Sequence, residues 1–409
     1  MKIQTFVVIL LFFSNGCNNN LQPTGNEPIQ SPDGQYVIQS PVLVGASRFG
    51  EYLPLIQGKT IALVVNHTSL VNNTHLVDML KGAGIQIKTI FAPEHGFRGT
   101  ASDGEKIEDG KDSSTGIQVI SLYGSKRAPS AQDLSGVEWV LFDIQDVGTR
   151  FYTYISTMTY VMQACAENKV KMMVLDRPNP NGHFVDGPIL EPEFKSFVGL
   201  HPVPVVYGMT IGEYAQMVNG EGWLEGGVKC DLKIIGCNYY EHKTSYDLPV
   251  KPSPNLPNML AIYLYPSLCF FEGTNVSIGR GTNKQFQVIG SPDYPKGDFT
   301  FTPQPMEGAM QPPLEGKLCN GYDLSTLKPE DIHKEARINL SYLLNFYKNF
   351  PDKESFFLKT NYIDKLAGTK KLRDQIIAGK SEEEIRATWQ EGLGNFMKIR
   401  KKYLLYRDF

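Results

Sequence analysis

The segment Phe91–Gly99 (FAPEHGFRG) places three ionisable groups within five residues: the carboxylate of Glu94, the imidazole of His95 and the guanidinium of Arg98. It follows an apolar run, Ile85–Ile90, that predicts a buried strand. The ends of strands in an open parallel sheet are where such folds bind ligands. Glu94 lies among apolar neighbours, and we expect the partial burial that suits a general acid. The segment therefore predicts a ligand-binding loop that contains a proton donor.

Polar side chains follow four of the predicted strands, at the point where each strand ends. These residues are Asn66 and His67; Glu94, His95 and Arg98; Asp143, Asp146 and Arg150; and Asp176, Arg177, Asn179 and Asn181. Because parallel strands point the same way, their carboxyl ends meet at one edge of the sheet, and the sequence predicts a polar pocket there. Asp143 would equally suit the cap of the following helix, and Asp176 the turn before Arg177.

Aromatic and glycine-flanked residues predict further ligand contacts. The rings of Phe97, Phe151, Tyr152 and Tyr154 lie near the polar residues and suit a sugar, which offers a C–H face as well as hydroxyls; core packing is favoured for Phe151. Later in the chain, Glu272, Asn275 and Arg280 lie in two loops, FEGTN and GRGTN. An arginine flanked by glycines can bind a carboxylate through two parallel hydrogen bonds, or form a surface ion pair that contributes little.

The apolar runs predict the elements that position these residues. Five runs, separated by helix-like stretches, indicate βαβ units and a parallel sheet covered on both faces: Thr60–Val65, Ile85–Ile90, Ile117–Leu122, Trp139–Ile144 and Lys171–Leu175. After about Gly208 the pattern changes, with capping boxes at Thr210–Glu213 and Ser381–Glu384, the second starting a long helix to about Tyr403. We therefore predict an α/β fold: a Rossmann-like parallel-sheet domain over 41–207, a smaller α+β domain over 208–409, and an active-site cleft between them.

Several functional classes lack their sequence signals. The chain has no G-x-G-x-x-G and no Walker motif, so no nucleotide or other cofactor is expected. It has no HExxH motif for a metal and no G-x-S-x-G nucleophile elbow. The net charge of −3 over 409 residues argues against nucleic acid as a partner.

The first residues read as an export signal. Lys2 precedes eight apolar residues, Phe6–Phe13, and Gly16 stands directly before Cys17. We predict a lipoprotein signal peptide over 1–17 with Cys17 as the lipidated residue, a flexible tether over 18–40, and an exported, periplasmic, membrane-anchored protein. Secretion without a lipid is the alternative. Five further cysteines form no CxxC pair, and their odd number leaves at least one free thiol.

The motifs together resemble one bacterial family. FAPEHGFRG, FDIQDVGTRFYTY, LDRPNPNG, DGP, PSPNLPN and FFEGTNVSIGRGT occur in this order, and from about Val42 onward the chain resembles the exo-β-N-acetylmuramidases of the NamZ type. The resemblance implies a Rossmann-like domain and a second domain with the site between them. It also implies release of terminal N-acetylmuramic acid (MurNAc) from the non-reducing end of peptidoglycan fragments, with Glu94 of the PEHG motif as the proton donor.

The chemistry of that substrate matches the candidate residues. Its lactyl carboxylate requires an arginine and its acetamido group requires hydrogen-bonding side chains; the expected sugar contacts are Asn66, His95, Arg98, Arg150, Tyr152, Asp176, Arg177, Asn179, Glu272, Asn275 and Arg280. The second catalytic carboxylate stays open among Asp143, Asp146 and Asp176, and the acetamido oxygen of the substrate could attack instead. The same chemistry on another 2-acetamido sugar, or a non-catalytic glycan-binding lipoprotein, are the alternatives. The acidic residues of the motifs (Glu94, Asp143, Asp146, Asp176 and Glu272) favour the enzyme over the binding protein.

Overall fold

The computed structural model of the chain describes residues 41–94, 96–97 and 109–409, together with the backbone of two short strands, β1 (Ile29–Gln30) and β2 (Tyr36–Val37). These two strands pair with each other in antiparallel fashion within the region predicted as the tether. The rest of that tether, the signal segment 1–17 and the lipidation residue Cys17 lie outside the described residues.

Seven of the strands form one sheet in the order β11-β10-β9-β3-β6-β8-β7. From residue 60 onward the strands are β3 (Thr60–Val65), β4 (Leu70–Val71), β5 (Thr74–His75), β6 (Gln86–Ala92), β7 (Gly110–Lys111), β8 (Gln118–Ser121), β9 (Trp139–Asp143), β10 (Lys171–Leu175), β11 (Leu232–Ile235), β12 (Val288–Ser291), β13 (Phe299–Phe301) and β14 (Cys319–Asp323). All pairs in the large sheet are parallel except β7–β8. The predicted parallel sheet is confirmed.

The sheet is buried on both faces because its central strands are apolar throughout. In β3, Ala62 and Val64 pack into one core, while Ile61, Leu63 and Val65 pack into the other. A continuous apolar strand is stable only when helices cover both faces. The first of these cores also extends into the later part of the chain, so the two parts share buried side chains.

Thirteen α-helices are present among the described residues. They are α1 (Phe49–Ile56), α2 (Leu76–Gly82), α3 (Ala131–Leu134), α4 (Tyr154–Asn168), α5 (Ile211–Gly220), α6 (Met259–Leu268), α7 (Pro329–Glu335), α8 (Ser341–Asn349), α9 (Lys353–Phe356), α10 (Tyr362–Ala367), α11 (Lys371–Ile377), α12 (Glu382–Ala387) and α13 (Gln390–Arg400). Both predicted capping boxes form, at the starts of α5 and α12. None of these helices combines the length and the apolar composition that a membrane crossing requires.

The predicted long helix from Ser381 to about Tyr403 is wrong, because the segment forms two helices, α12 and α13. The interruption falls at Thr388 and Trp389. The hydroxyl of Thr388 donates to the carbonyl of Ile385 at 2.6 Å and competes with the helical hydrogen-bond pattern. The side chain of Trp389 is buried in the core. The turn between the helices therefore accompanies the burial of this large ring.

The later part of the chain adds a small antiparallel sheet, β12-β14-β13, and helices α6–α13. This is the predicted smaller α+β region, and the two-part α/β fold is confirmed. One strand of the predicted second domain, β11, nevertheless pairs with β10 in the large sheet. All five cysteines in the described part of the chain are free and buried: Cys165, Cys230, Cys237, Cys269 and Cys319.

The C-terminal segment is held on the large sheet by buried ionic contacts. His242 lies between Glu213 and Asp408, with nitrogen–oxygen distances of 2.9 Å to each. Arg400 donates to Asp408 at 2.7 Å and to the carbonyl of Gly208. Burial lowers the pKa of His242, but its hydrogen bonds to the two carboxylates outweigh burial, and the pKa is raised. These contacts fix the chain end over α5.

Candidate active site

A cavity of about 310 Å³ lies beyond the carboxyl end of β6, between the large sheet and the α+β region. Its volume falls at the lower end of the range for small-molecule sites, about 300–1,000 Å³. The described residues that line it are Glu94, Tyr123, Phe151, Tyr152, Thr153, Tyr154, Val198, Ser253, Asn255, Leu256, Tyr265, Cys269, Glu272, Arg280, Phe286, Tyr362 and Leu366. We call it the Glu94 cavity. Both parts of the chain contribute to its walls.

Glu94 reaches this cavity because the chain turns away from the sheet two residues after β6. The hydroxyl of Thr153 donates to Glu94 Oε2 at 2.7 Å. Thr153 stands directly before α4 and makes no side-chain capping bond to that helix, so its hydroxyl serves Glu94 instead. The exposed N–H groups at a helix start favour a nearby negative charge. The structure therefore orients the Glu94 carboxyl into the cavity at a defined position.

A second carboxyl, that of Glu272, lines the same cavity together with the guanidinium of Arg280. Arg280 donates to Glu272 Oε1 from Nη2 at 2.6 Å and from Nε at 3.1 Å. The same guanidinium lies 5.2 Å from the ring centre of Phe286. Burial and the negative charge of Glu94 raise the pKa of Glu272 to about 8. Burial lowers the pKa of Arg280 to about 10, so it remains positive at neutral pH.

Tyrosine rings form the floor of the cavity. Tyr152 packs edge-to-face against Tyr154 at 4.9 Å and against Tyr265 at 6.0 Å between ring centres. The hydroxyl of Tyr152 donates to the carbonyl of Pro252 at 2.8 Å. The side-chain amide of Asn66 donates to the hydroxyl of Tyr154 at 3.0 Å, so Asn66 helps to hold the Tyr154 ring in place. Burial raises the pKa of both Tyr152 and Tyr154, which keeps them protonated and able to donate.

Two of the predicted carboxylates make buried bonds at the sheet edge. Asp143 forms a two-pronged ion pair with Arg177, at 2.5 Å from Nε and 2.9 Å from Nη2. Asp176 accepts hydrogen bonds from the hydroxyls of Thr210 and Tyr406 and from the backbone N–H of Gly212. All of these side chains are buried or partly buried. Neither Asp143 nor Asp176 is among the described residues that line the Glu94 cavity.

Asp146 is also fully enclosed. One oxygen accepts hydrogen bonds from the hydroxyl of Tyr207 and from the N–H of Gly148, and the other has no hydrogen-bond partner among the described residues. Burial raises the pKa of Asp146 to about 6. It lies near Tyr152 and Tyr154, whose pKa values its charge helps to raise. Asp146 thus stands behind the tyrosine floor and not at the described surface of the cavity.

The remaining predicted residues are distributed as follows. Arg150 donates to the carbonyls of Pro188, Val203 and Leu366. Asn179 donates to the carbonyl of Met209. Asn275 donates to the carbonyl of Ser355 and lines a second, larger cavity. His95 and Arg98 lie outside the described residues. Of the predicted residues, the structure brings Glu94, Phe151, Tyr152, Tyr154, Glu272 and Arg280 to one cavity.

Sequence reasoning assigned no role to several residues of this cavity. Ser253 and Asn255 belong to the PSPNLPN motif, and Thr153 precedes a predicted helix, so their types were visible signals. Tyr265 lies inside the apolar helix α6, and Tyr362 begins α10. Their rings carry no local pattern that separates a ligand contact from core packing.

Comparison with known proteins shows similarity along most of the chain. Residues 61–260 match the family model described as exo-beta-N-acetylmuramidase NamZ, N-terminal, and residues 263–406 match the C-terminal model of the same family. The chain is 39% identical over 376 residues to peptidoglycan beta-N-acetylmuramidase NamZ of Bacillus subtilis (strain 168), covering 87% of this chain and 89% of that protein.

Two solved structures of DUF1343 family proteins from Bacteroides fragilis NCTC 9343 have the same fold. The first is 47% identical with a TM-score of 0.83, and it covers 90% of this chain and all of its own. The second is 26% identical with a TM-score of 0.73, over 90% of this chain and 99% of its own.

The contacts of Asp143 predict a stability role that can be measured. In Asp143→Asn, Arg177 stays buried without its counter-charge, and we expect the free energy of unfolding in denaturant to fall by about 3–5 kcal/mol. The double variant Asp143→Leu/Arg177→Met removes both charges and should recover most of this loss. An Asp143→Asn protein with wild-type stability but no activity would contradict this and assign Asp143 to the chemistry.

Proposed function

The chain belongs to the exo-β-N-acetylmuramidase NamZ family, and on that basis we propose that the Glu94 cavity holds the terminal sugar, with Glu94 as proton donor. The protein is an exo-acting glycosidase that hydrolyses O-glycosyl bonds. It releases terminal MurNAc from the non-reducing end of peptidoglycan fragments during cell-wall turnover. The observation that supports the assignment of the site is the presence of Glu94, Glu272 and Arg280 in one cavity.

Glycoside hydrolysis needs a proton for the leaving oxygen and negative charge near the anomeric carbon, which becomes positive in the transition state. Glu94 serves the first need, since Thr153 holds its carboxyl at the cavity wall. Glu272 is the carboxylate that serves the second need, because it lines the same cavity as Glu94. A water molecule or the acetamido oxygen of the substrate then completes the displacement at the anomeric carbon.

Arg280 is the positive group of the cavity that suits the lactyl carboxylate of MurNAc. Its guanidinium is held in place by Glu272 and lies over the ring of Phe286. An arginine fixed in this way loses little freedom when it binds a carboxylate. The tyrosine floor then meets the C–H face of the sugar, and Tyr152 and Tyr154 lie beneath it.

Replacing the proton donor tests this assignment. Glu94→Gln should lower kcat/KM for the disaccharide MurNAc-GlcNAc (GlcNAc, N-acetylglucosamine) by about 10²–10⁴-fold, with the binding of MurNAc and the unfolding transition retained. The loss should be smaller for 4-nitrophenyl β-MurNAc, because nitrophenolate leaves without being protonated. Protein lacking residues 1–17 would be used for both assays.

Two controls complete this experiment. Glu315→Gln, an exposed carboxyl outside the Glu94 cavity, should keep wild-type rates on both substrates. Wild-type protein should leave 4-nitrophenyl β-GlcNAc intact, because that sugar lacks the lactyl carboxylate. Equal losses on the two MurNAc substrates would show that Glu94 acts in another way, and rapid cleavage of the GlcNAc compound would change the substrate.

The raised pKa of Glu272 predicts the pH dependence. Its ionised fraction grows as pH rises toward about 8, so kcat/KM for 4-nitrophenyl β-MurNAc, whose leaving group needs no proton from Glu94, should increase over this range, by up to about tenfold per pH unit, if the carboxylate stabilises the transition state. Glu272→Gln should lose this rise, while Glu272→Asp, which keeps a titratable carboxyl, should retain one. An unchanged profile in Glu272→Gln would assign the rise to another group.

The N-terminal segment supports a further proposal, export as a lipoprotein. A positive Lys2, the apolar Phe6–Phe13 and the Gly16-Cys17 pair form a signal that ends at a lipidated cysteine. A lipid on Cys17 would anchor the enzyme to a membrane facing the periplasm, where peptidoglycan fragments arise. The tether over 18–40 would separate the enzyme from the lipid surface.

Substitution of the lipidated residue tests the anchor. Cys17→Ala should abolish incorporation of radiolabelled palmitate and shift the protein from the detergent phase to the aqueous phase of Triton X-114, because the protein would lose its acyl chains. Asn20→Ala should behave as wild type. Wild-type protein that takes up no label but is exported would support secretion without a lipid.

A further inference from the structure

A second cavity of about 1,100 Å³ adjoins the Glu94 cavity and has more than three times its volume. Its walls come from residues 271–280 and 307–314, with contributions from α9–α10. Glu272, Arg280 and Tyr362 line both cavities, so the two spaces meet at these side chains. We call this larger space the outer groove. Its volume exceeds what one sugar unit needs, given that the smaller cavity already matches a small ligand.

The junction lies within reach of Glu94. The charge of Glu94 acts on Glu272, Arg280 and Tyr362, the three side chains that both cavities share. A proton donor must lie beside the glycosidic oxygen that leaves. If the terminal sugar occupies the Glu94 cavity, that oxygen lies near the junction, and the sugar attached to it continues into the outer groove.

The outer groove is built into the fold and joined to the Glu94 cavity. Gly281 and Gly308 have positive φ angles of 79° and 82°, and a Cβ atom would come within 2.6 Å of Pro312 and 2.3 Å of Pro254, respectively. The side-chain amide of Asn255, which lines the Glu94 cavity, donates to the carbonyl of Gly308 at 2.8 Å. The wall that contains residues 307–314 is therefore held at a fixed distance from the catalytic groups.

The outer groove offers side chains that suit sugar units. Met310, with 58% of its surface exposed, and Leu358 offer apolar surface, while Asn275 and Gln311 offer amide groups for hydroxyls and acetamido groups. Among its described lining residues the carboxyl and guanidinium groups are those of Glu272, Glu307 and Arg280. The sugar that follows the scissile bond is GlcNAc, which is uncharged and would bind through its hydroxyls, its acetamido group and its C–H face.

We propose that the outer groove binds the leaving-group side of the glycan, the sugar units that follow the scissile bond. This rests on the proposed function of the Glu94 cavity. The enzyme then gains binding energy from several sugar units and cleaves chains longer than a disaccharide with higher kcat/KM.

Chain length and one groove variant test the proposal. For wild-type protein, kcat/KM should be about tenfold higher for the peptide-free tetrasaccharide (MurNAc-GlcNAc)₂ than for MurNAc-GlcNAc. Met310→Asp places a charge on the apolar wall of the groove, and we expect it to lower the ratio of kcat/KM for the tetrasaccharide to that for 4-nitrophenyl β-MurNAc about tenfold. The matched control is Leu318→Asp, 59% exposed and not among the groove's described lining, which should keep the wild-type ratio.

The outcomes separate this proposal from the proposed function. Cleavage of the nitrophenyl compound with no gain from chain length, or a Met310→Asp ratio equal to wild type, would overturn the groove assignment and leave the glycosidase intact. A gain seen only with peptide-bearing tetrasaccharide would assign the groove to the stem peptide and overturn the proposal. No cleavage of any MurNAc substrate would instead reject the proposed function of the Glu94 cavity. In that case, calorimetry tests the groove separately: equally weak binding of the disaccharide and the tetrasaccharide would reject the proposed role of the outer groove as well.

Discussion

The buried ion pair between Asp143 and Arg177 is the contact on which the site edge of the sheet depends. It joins Asp143, the last residue of β9, to Arg177, the second residue after β10, and both charges are removed from water. Each charge is compensated by the other, and Arg177 also donates to the carbonyl of Leu70. Loss of one partner would leave a charge in the core, so the strand ends can take only one arrangement. The loops that carry Glu94 and the cavity tyrosines start from this fixed edge.

The carboxyl groups at this edge of the sheet are chemically alike, but they differ in the groups that form hydrogen bonds with them. Asp176 accepts hydrogen bonds from two hydroxyls and a backbone N–H of the following segment, and Asp143 has a guanidinium. Glu94 receives one hydroxyl, from Thr153, and faces a cavity. A carboxyl enclosed by buried partners is not open to a ligand, whereas Glu94 and Glu272 line a cavity that a ligand can enter. This difference separates the structural acids from the candidate catalytic acids.

These differences explain what could be predicted from the sequence. Apolar runs and capping boxes are local patterns, so the parallel strands, the starts of α5 and α12 and the α/β class were predictable. The motif around Glu94 predicted a proton donor; that role stays a prediction, and Glu94 lines the cavity. The partners of Asp143 and Asp176 come from 34 and 230 residues away, in Arg177 and Tyr406, and no local pattern reports them. The break between α12 and α13 also depends on a distant requirement, the burial of Trp389.

The geometry of the Glu94 cavity depends on contacts that join the two parts of the chain. Glu94 comes from the sheet and Glu272 from the α+β region, so their separation is set by the packing between these parts. Arg150, fully buried, donates to the carbonyl of Leu366 in α10 at 3.0 Å, and Tyr152 donates to the carbonyl of Pro252. A Cβ atom at Gly368 would come within 2.7 Å of the Arg150 guanidinium, so α10 can approach it only because that position is glycine. Burial lowers the pKa of Arg150 to about 9, and its three carbonyl acceptors offset that cost. Arg150 was a candidate for binding the lactyl carboxylate of the substrate. In the structure it instead joins the two parts of the chain that form the cavity.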